Sequence, residues 1–191
     1  PDQKYLCAVD LGVDQVKIYK FNDETGKITL VDMLRCELES APRIIKFSPD
    51  GRFAYLICEL KNYISVYTYK DGPRGPVFEL VQTISTLNEY HSKGSAACVL
   101  RFSRDWNYVL CSNAGDNSVG IFKIDRETGM LEKICILPIS GDYPKAADFF
   151  PDNRHIMSLN HETNTMTIFK INYEKKYFSM WGKPLKVETP N

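Results

Sequence analysis

Residues 43–58 read Arg43-Ile44-Ile45-Lys46-Phe47-Ser48-Pro49-Asp50-Gly51-Arg52-Phe53-Ala54-Tyr55-Leu56-Ile57-Cys58. Two apolar runs flank one tight turn. In Ser48-Pro49-Asp50-Gly51, proline presets φ and glycine tolerates a left-handed backbone. Residues 53–58 are apolar enough for a strand buried on both faces. Working outward, Lys61-Asn62 falls in a second turn, and residues 63–69 alternate as a half-buried strand does. Asp71-Gly72 marks a third turn, and Phe78-Glu79-Leu80-Val81-Gln82-Thr83-Ile84 reads as a fourth strand. No helical period persists anywhere in the chain.

The turn recurs. Pro1-Asp2-Gln3-Lys4-Tyr5-Leu6, Arg104-Asp105-Trp106-Asn107-Tyr108-Val109 and Pro151-Asp152-Asn153-Arg154-His155-Ile156 align with residues 49–54. The Asp stands at 2, 50, 105 and 152, with spacings of 48, 55 and 47 residues. Ile18, Val66, Ile121 and Ile168 repeat the same three spacings. Glu24-Thr25-Gly26 and Glu127-Thr128-Gly129 mark the last hairpin of the first and third units, with Gly where φ turns positive. Four-stranded repeats of roughly 40–50 residues are propeller blades. The fold class is therefore all-β, a β-propeller of four-stranded antiparallel blades. The expected limits are 1–41, 42–96, 97–143 and 144–191, with the innermost strand missing from the first blade.

Composition agrees with this class and narrows function. The chain has 191 residues, 43% hydrophobic and 25% charged, which excludes disorder over most of its length. The 11 Tyr and 10 Phe favour strands. With Lys+Arg 24 and Asp+Glu 24 the net charge is zero, which argues against nucleic acid as a partner. No run approaches the roughly 18 apolar residues of a membrane span. Cys7, Cys36, Cys58, Cys98, Cys111 and Cys135 show no CxxC spacing and mostly sit in apolar strands. They read as free thiols of a cytoplasmic protein, with no metal and no cofactor expected.

Ala41-Pro42-Arg43-Ile44-Ile45-Lys46-Phe47-Ser48-Pro49-Asp50-Gly51-Arg52-Phe53-Ala54-Tyr55 resembles the bacterial 6-phosphogluconolactonase-like, seven-bladed lactonase propellers. So do Glu59-Leu60, Val81-Gln82-Thr83-Ile84-Ser85-Thr86-Leu87 and Ser112-Asn113-Ala114-Gly115-Asp116-Asn117-Ser118. The resemblance covers essentially the whole chain and matches the family's C-terminal half. It implies seven blades around a channel and metal-independent hydrolysis of a six-membered sugar-acid lactone. A related fungal branch handles muconate lactones. About three N-terminal blades would be missing, so the uncovered faces of the terminal blades imply a longer chain or a second copy to complete the ring.

Repeats separate scaffold from site: scaffold residues recur in every blade, and functional ones differ. Asp14, Asn62, Asn117 and Asn164 recur and read as turn chemistry. Two first-strand positions vary, holding Arg43, Cys98 and Lys145, then Lys46, Arg101 and Asp148. The loop after the second strand also varies, with Leu11, Glu59, Ala114 and His161 preceded by Asp10, Cys58, Asn113 and Asn160. By symmetry these residues ring one channel mouth. Lactone hydrolysis needs a base for water, donors for the oxyanion and cations for an anionic substrate. Glu59 and His161 are the candidate bases. Arg43, Lys145 and Arg101 are the candidate anion ligands, and Asn113 the candidate carbonyl donor. The bland alternatives are rim charges at Arg43 and Lys145 and an exposed turn residue at His161. His91 reads as a loop residue, and Trp106 and Trp181 as packing residues.

The chain also departs from the family pattern. A family His is replaced by Ile44, an Asp and a His by Val99 and Arg101, an Arg by Ala114, and a further Arg by Lys145. Ile cannot transfer a proton, and Lys lacks the guanidinium fork. A lactone- or carbohydrate-binding propeller without turnover, or a protein-interaction scaffold, is therefore the alternative to an enzyme.

Overall fold

The computed structural model describes residues 3–88 and 94–190. Asp2 and His91 lie outside the described residues. Strands β1 (Tyr5–Asp10), β2 (Gln15–Phe21) and β3 (Ile28–Arg35) form the first sheet. The second holds β4 (Pro42–Phe47), β5 (Phe53–Cys58), β6 (Tyr63–Gly72) and β7 (Gly75–Ser85). The third holds β8 (Ala97–Phe102), β9 (Tyr108–Asn113), β10 (Ser118–Ile124) and β11 (Leu131–Pro138). The fourth holds β12 (Pro144–Phe149), β13 (His155–Asn160), β14 (Thr165–Asn172), β15 (Tyr177–Met180) and the short β16 (Leu185–Lys186). Each is an antiparallel meander. β4 contacts β8 and β8 contacts β12, so the first strands of successive sheets are innermost.

The sheets stack face to face. All six residues of β5 are buried, and the period-two rule explains how. Phe53, Tyr55 and Ile57 enter a core shared with Leu100, Val109 and Phe122 of the third sheet. Ala54, Leu56 and Cys58 enter the opposite core, shared with Val16 of the first. A third core joins Leu110 and Ile121 to Ile156 and Phe169 of the fourth sheet.

The recurrent residues are scaffold. Asp14, Asn62, Asn117 and Asn164 all adopt left-handed φ, between 51° and 52°. Their side chains clip the segment that follows the last strand of the same sheet. Asp14 accepts from Glu39 N and Ala41 N at 2.8 Å each, and Asn62 donates to Ser95 O at 3.0 Å. Asn117 accepts from Tyr143 N at 2.7 Å, and Asn164 from Thr189 N at 3.0 Å. Asp50 accepts from Ser48 Oγ at 2.6 Å and Asp105 from Ser103 Oγ at 2.7 Å. Ser48 and Arg52 together hold the Asp50 carboxyl down to about 2.

Two strand readings change. The Asp71-Gly72 turn moves to Pro73-Arg74, because the ladder runs on to a Gly72–Gly75 pair. The last strand is split into β15 and β16, with Gly182 at φ +82° between them. Leu11–Val13 forms a single 3-10 turn. Gly129 is required by contact: a Cβ there would come within 2.4 Å of the Phe53 ring, and its φ is +74°. Among the described residues no helix is long and apolar enough to cross a membrane.

Candidate active site at the channel mouth

Every complete first strand carries a bulge at the same place. Pairing skips from Pro42–Cys58 to Ile44–Ile57, from Ala97–Asn113 to Val99–Ser112, and from Pro144–Asn160 to Ala146–Leu159. The skipped residues are Arg43, Cys98 and Lys145. A bulge leaves its extra residue out of the ladder and re-aims the side chain, which is why bulges cluster near functional sites. The chain leaving each second strand ties back beside the bulge. Glu59 N donates to Ala41 O at 2.8 Å, Ala114 N to Ala96 O at 2.8 Å, and His161 N to Tyr143 O at 3.0 Å. The pairs 43/59, 98/114 and 145/161 are thus one structural position seen three times.

The three positions differ in chemistry. In the second blade Arg43 Nη1 lies 2.5 Å from Glu59 Oε2, a charge-assisted pair. The Glu59 carbonyl accepts from Ala97 N at 3.0 Å, which ties this backbone to the third blade. In the third blade Cys98 and Ala114 are buried. Burial pushes the Cys98 thiol up, Glu59 adds to the rise, and Arg43 and Lys145 oppose it. Charged groups from the second and fourth blades therefore flank Cys98 of the third. In the fourth blade Lys145 Nζ lies 5.9 Å from the Tyr143 ring centroid, and the His161 ring 6.5 Å from it. His161 Nδ1 is 3.1 Å from Pro190 O. A carbonyl only accepts, so Nδ1 carries the proton and Nε2 is the basic nitrogen.

Arg101 lies one tier below this mouth. Its Nε pairs with Asp148 Oδ2 at 3.3 Å. Lys46 stands beside that pair: burial and Arg101 push its ammonium below the ordinary lysine range, while Asp148 pulls it back. Asn113 is corrected. It is fully buried, and its Nδ2 donates to Thr86 O at 2.8 Å and Ser118 Oγ at 3.0 Å. Asn160, its sister, bonds Thr165 and Thr167 in the same way. Asn113 therefore ties strand ends and does not face the mouth. The side chain that residue patterns missed is Tyr143, which stands between Lys145 and His161. Its signal was its place directly before Pro144, where Ala41 precedes Pro42; both residues have left-handed φ. The apolar departures pack inward: Ile44 against the core between the second and third sheets, and Val99 and Ala114 with Cys98.

The family model for the seven-bladed β-propeller lactonase matches residues 1–191. The 6-phosphogluconolactonase of Bacillus subtilis is 25% identical over 190 residues, covering all of this chain and 53% of its own length. An uncharacterized protein of Lactococcus lactis is 33% identical over 169 residues, covering 88% of this chain and 48% of its own. The structure of the periplasmic gluconolactonase of Pseudomonas aeruginosa superposes with a TM-score of 0.89 at 26% identity, over 100% of this chain and 53% of that one. A protein from Lactobacillus plantarum gives 0.87 at 26%, over 99% and 54%. The chain spans about half the length of these relatives. With its bulged first strands, its stacked four-stranded sheets and a family match along its whole length, the chain belongs to the seven-bladed β-propeller lactonase family.

Proposed function

We propose that the mouth formed by Arg43, Glu59, Lys145 and His161 binds a sugar-acid lactone and hydrolyses its ester without a metal. The observation that carries this reading is the Arg43–Glu59 pair, 2.5 Å apart, on a bulge beside Lys145 and buried Cys98. Glu59 takes a proton from water, with His161 Nε2 as the alternative base. The water oxygen adds to the lactone carbonyl carbon, and the oxyanion forms against Arg43 and Lys145, whose fixed charges suit a developing negative charge. Collapse of this adduct breaks the ring C–O bond. The proton held by the base passes to the departing alkoxide, which leaves as a hydroxyl of the open-chain acid.

The second reading is a lactone-binding propeller without turnover. Its support is that Ile44, Val99 and Ala114 pack as apolar residues and supply no proton donor. Hydrolysis of 6-phosphogluconolactone and of unphosphorylated gluconolactone, each measured above its spontaneous rate, separates the two. The enzyme reading expects acceleration with at least one of them. Ligand-induced thermal stabilisation without acceleration would favour binding alone.

Further blades or a second copy cover the first sheet in this reading, and a cytoplasmic location accompanies it. The first is supported by exposed Leu6, Phe21, Ile28, Leu30, Val31 and Met33, a group of apolar side chains on one sheet of the kind that marks an interaction surface. The second is supported by six free cysteines. Size-exclusion chromatography of the 191-residue chain should give an associated species. A dilute monomer of unchanged stability would contradict the covering.

A further inference from the structure

At the opposite end of the strands from the mouth, a cleft of about 290 Å³ opens between the second and third blades. Phe53, Tyr55 and Trp106 line it, together with Asp50, Arg52 and Arg126. The repeat marks Trp106 as blade-specific. The same turn position holds Gly51 in the second blade and Asn153 in the fourth. All three have left-handed φ, at 71°, 56° and 54° respectively. Glycine meets no penalty there and asparagine tolerates it, but a bulky aromatic residue is an outlier held at a cost. Phe102 stacks on the Trp106 ring at 4.2 Å and 25°, which fixes the indole at the cleft wall.

The rest of the cleft is held by hydrogen bonds and ring contacts. Arg52 pairs with Asp50 at 2.7 Å, donates to Arg126 O at 2.6 Å, and lies 4.9 Å from the Phe53 ring centroid. Tyr55 donates its hydroxyl to Gly129 O at 3.0 Å, and Gly129 presses on Phe53. Arg126 donates to Asp105 O. Two arginines against one aspartate leave one positive charge. The volume sits at the small end of ligand pockets, room for a single ring.

We propose that this cleft binds a small molecule with one flat ring and one carboxylate, its ring against Trp106 and its carboxylate on Arg126. This site is distinct from the mouth and does not depend on lactone hydrolysis. The test uses benzoate and the whole 191-residue chain, followed by saturation-transfer NMR and calorimetric titration. Saturable binding is expected. Binding should weaken about tenfold or more in Arg126→Ala and in Trp106→Asn, since each removes one of the two contacts. Benzyl alcohol, with the ring but no charge, should bind comparably weakly. Trp106→Asn should melt no lower than the parent, because it installs the residue that Asn153 already uses. Arg43→Ala should bind benzoate at full strength. No saturable binding by the parent chain would overturn the proposal. So would full-strength binding by both cleft variants, or loss of binding in Arg43→Ala, which would put the anion in the mouth.

Discussion

Glu59→Gln is expected to lower lactone hydrolysis by about 10²–10⁴-fold, the usual contribution of a positioned general base. Gln keeps the shape and can still accept a hydrogen bond from Arg43, but it cannot hold a proton taken from water. The fold should survive, because the backbone bonds from Glu59 N to Ala41 O and from Ala97 N to Glu59 O need no carboxylate. The loss should fall on kcat, with KM little changed, since binding rests on Arg43 and Lys145. His161→Gln is the companion variant. A large loss there and none in Glu59→Gln would reassign the base to His161 Nε2. Equal acceleration by the parent chain and both variants would sink the proposed chemistry.

Phe122→Ala is expected to cost about 3–5 kcal/mol, as for other large buried aromatic residues. Phe122 is fully buried in the core between the second and third sheets. Its ring lies within 3.1 Å of where a Cβ on Gly120 would sit, so the neighbouring backbone already packs as closely as it can. A propeller gains stability from each blade and from its nearest-neighbour seams. Emptying one seam therefore consumes a large share of a total that for most domains is only about 5–15 kcal/mol. Urea unfolding should show a lower midpoint. Trp181→Ala, at a site 57% exposed, should stay within about 0.5 kcal/mol of the parent. A Phe122→Ala midpoint no lower than that of Trp181→Ala would contradict this account of the seam.

Much of the fold was legible in particular residues. The apolar run 53–58 became β5 with the same limits, because a strand packed on both faces needs no polar alternation. The recurrent Asp14, Asn62, Asn117 and Asn164 proved to be left-handed turn residues, because short polar side chains both tolerate that backbone and bond nearby amides. The turn at Asp71-Gly72 was misread because strand pairing, a tertiary gain, carried the ladder three residues further on each side.

The site was legible only in part. Arg43, Glu59, Lys145 and His161, the residues proposed for the mouth, stood out because repeats expose the positions that vary. Asn113 was drawn in by its neighbour Ala114 in the same loop, although it is the last residue of its strand and its side chain turns inward to tie strand ends. Arg101 was assigned to the mouth, but three residues along a strand is about 10 Å, enough to drop it to a lower tier.

By itself, the sequence determined the blade count, the turn chemistry and the family, because these depend on period and local backbone preference. Only the tertiary structure decided which side chains meet. The bulges that re-aim Arg43, Cys98 and Lys145 arise from pairing between strands, and the convergence around Cys98 arises from blades packed at a common axis. Neither is a property of any single stretch of chain.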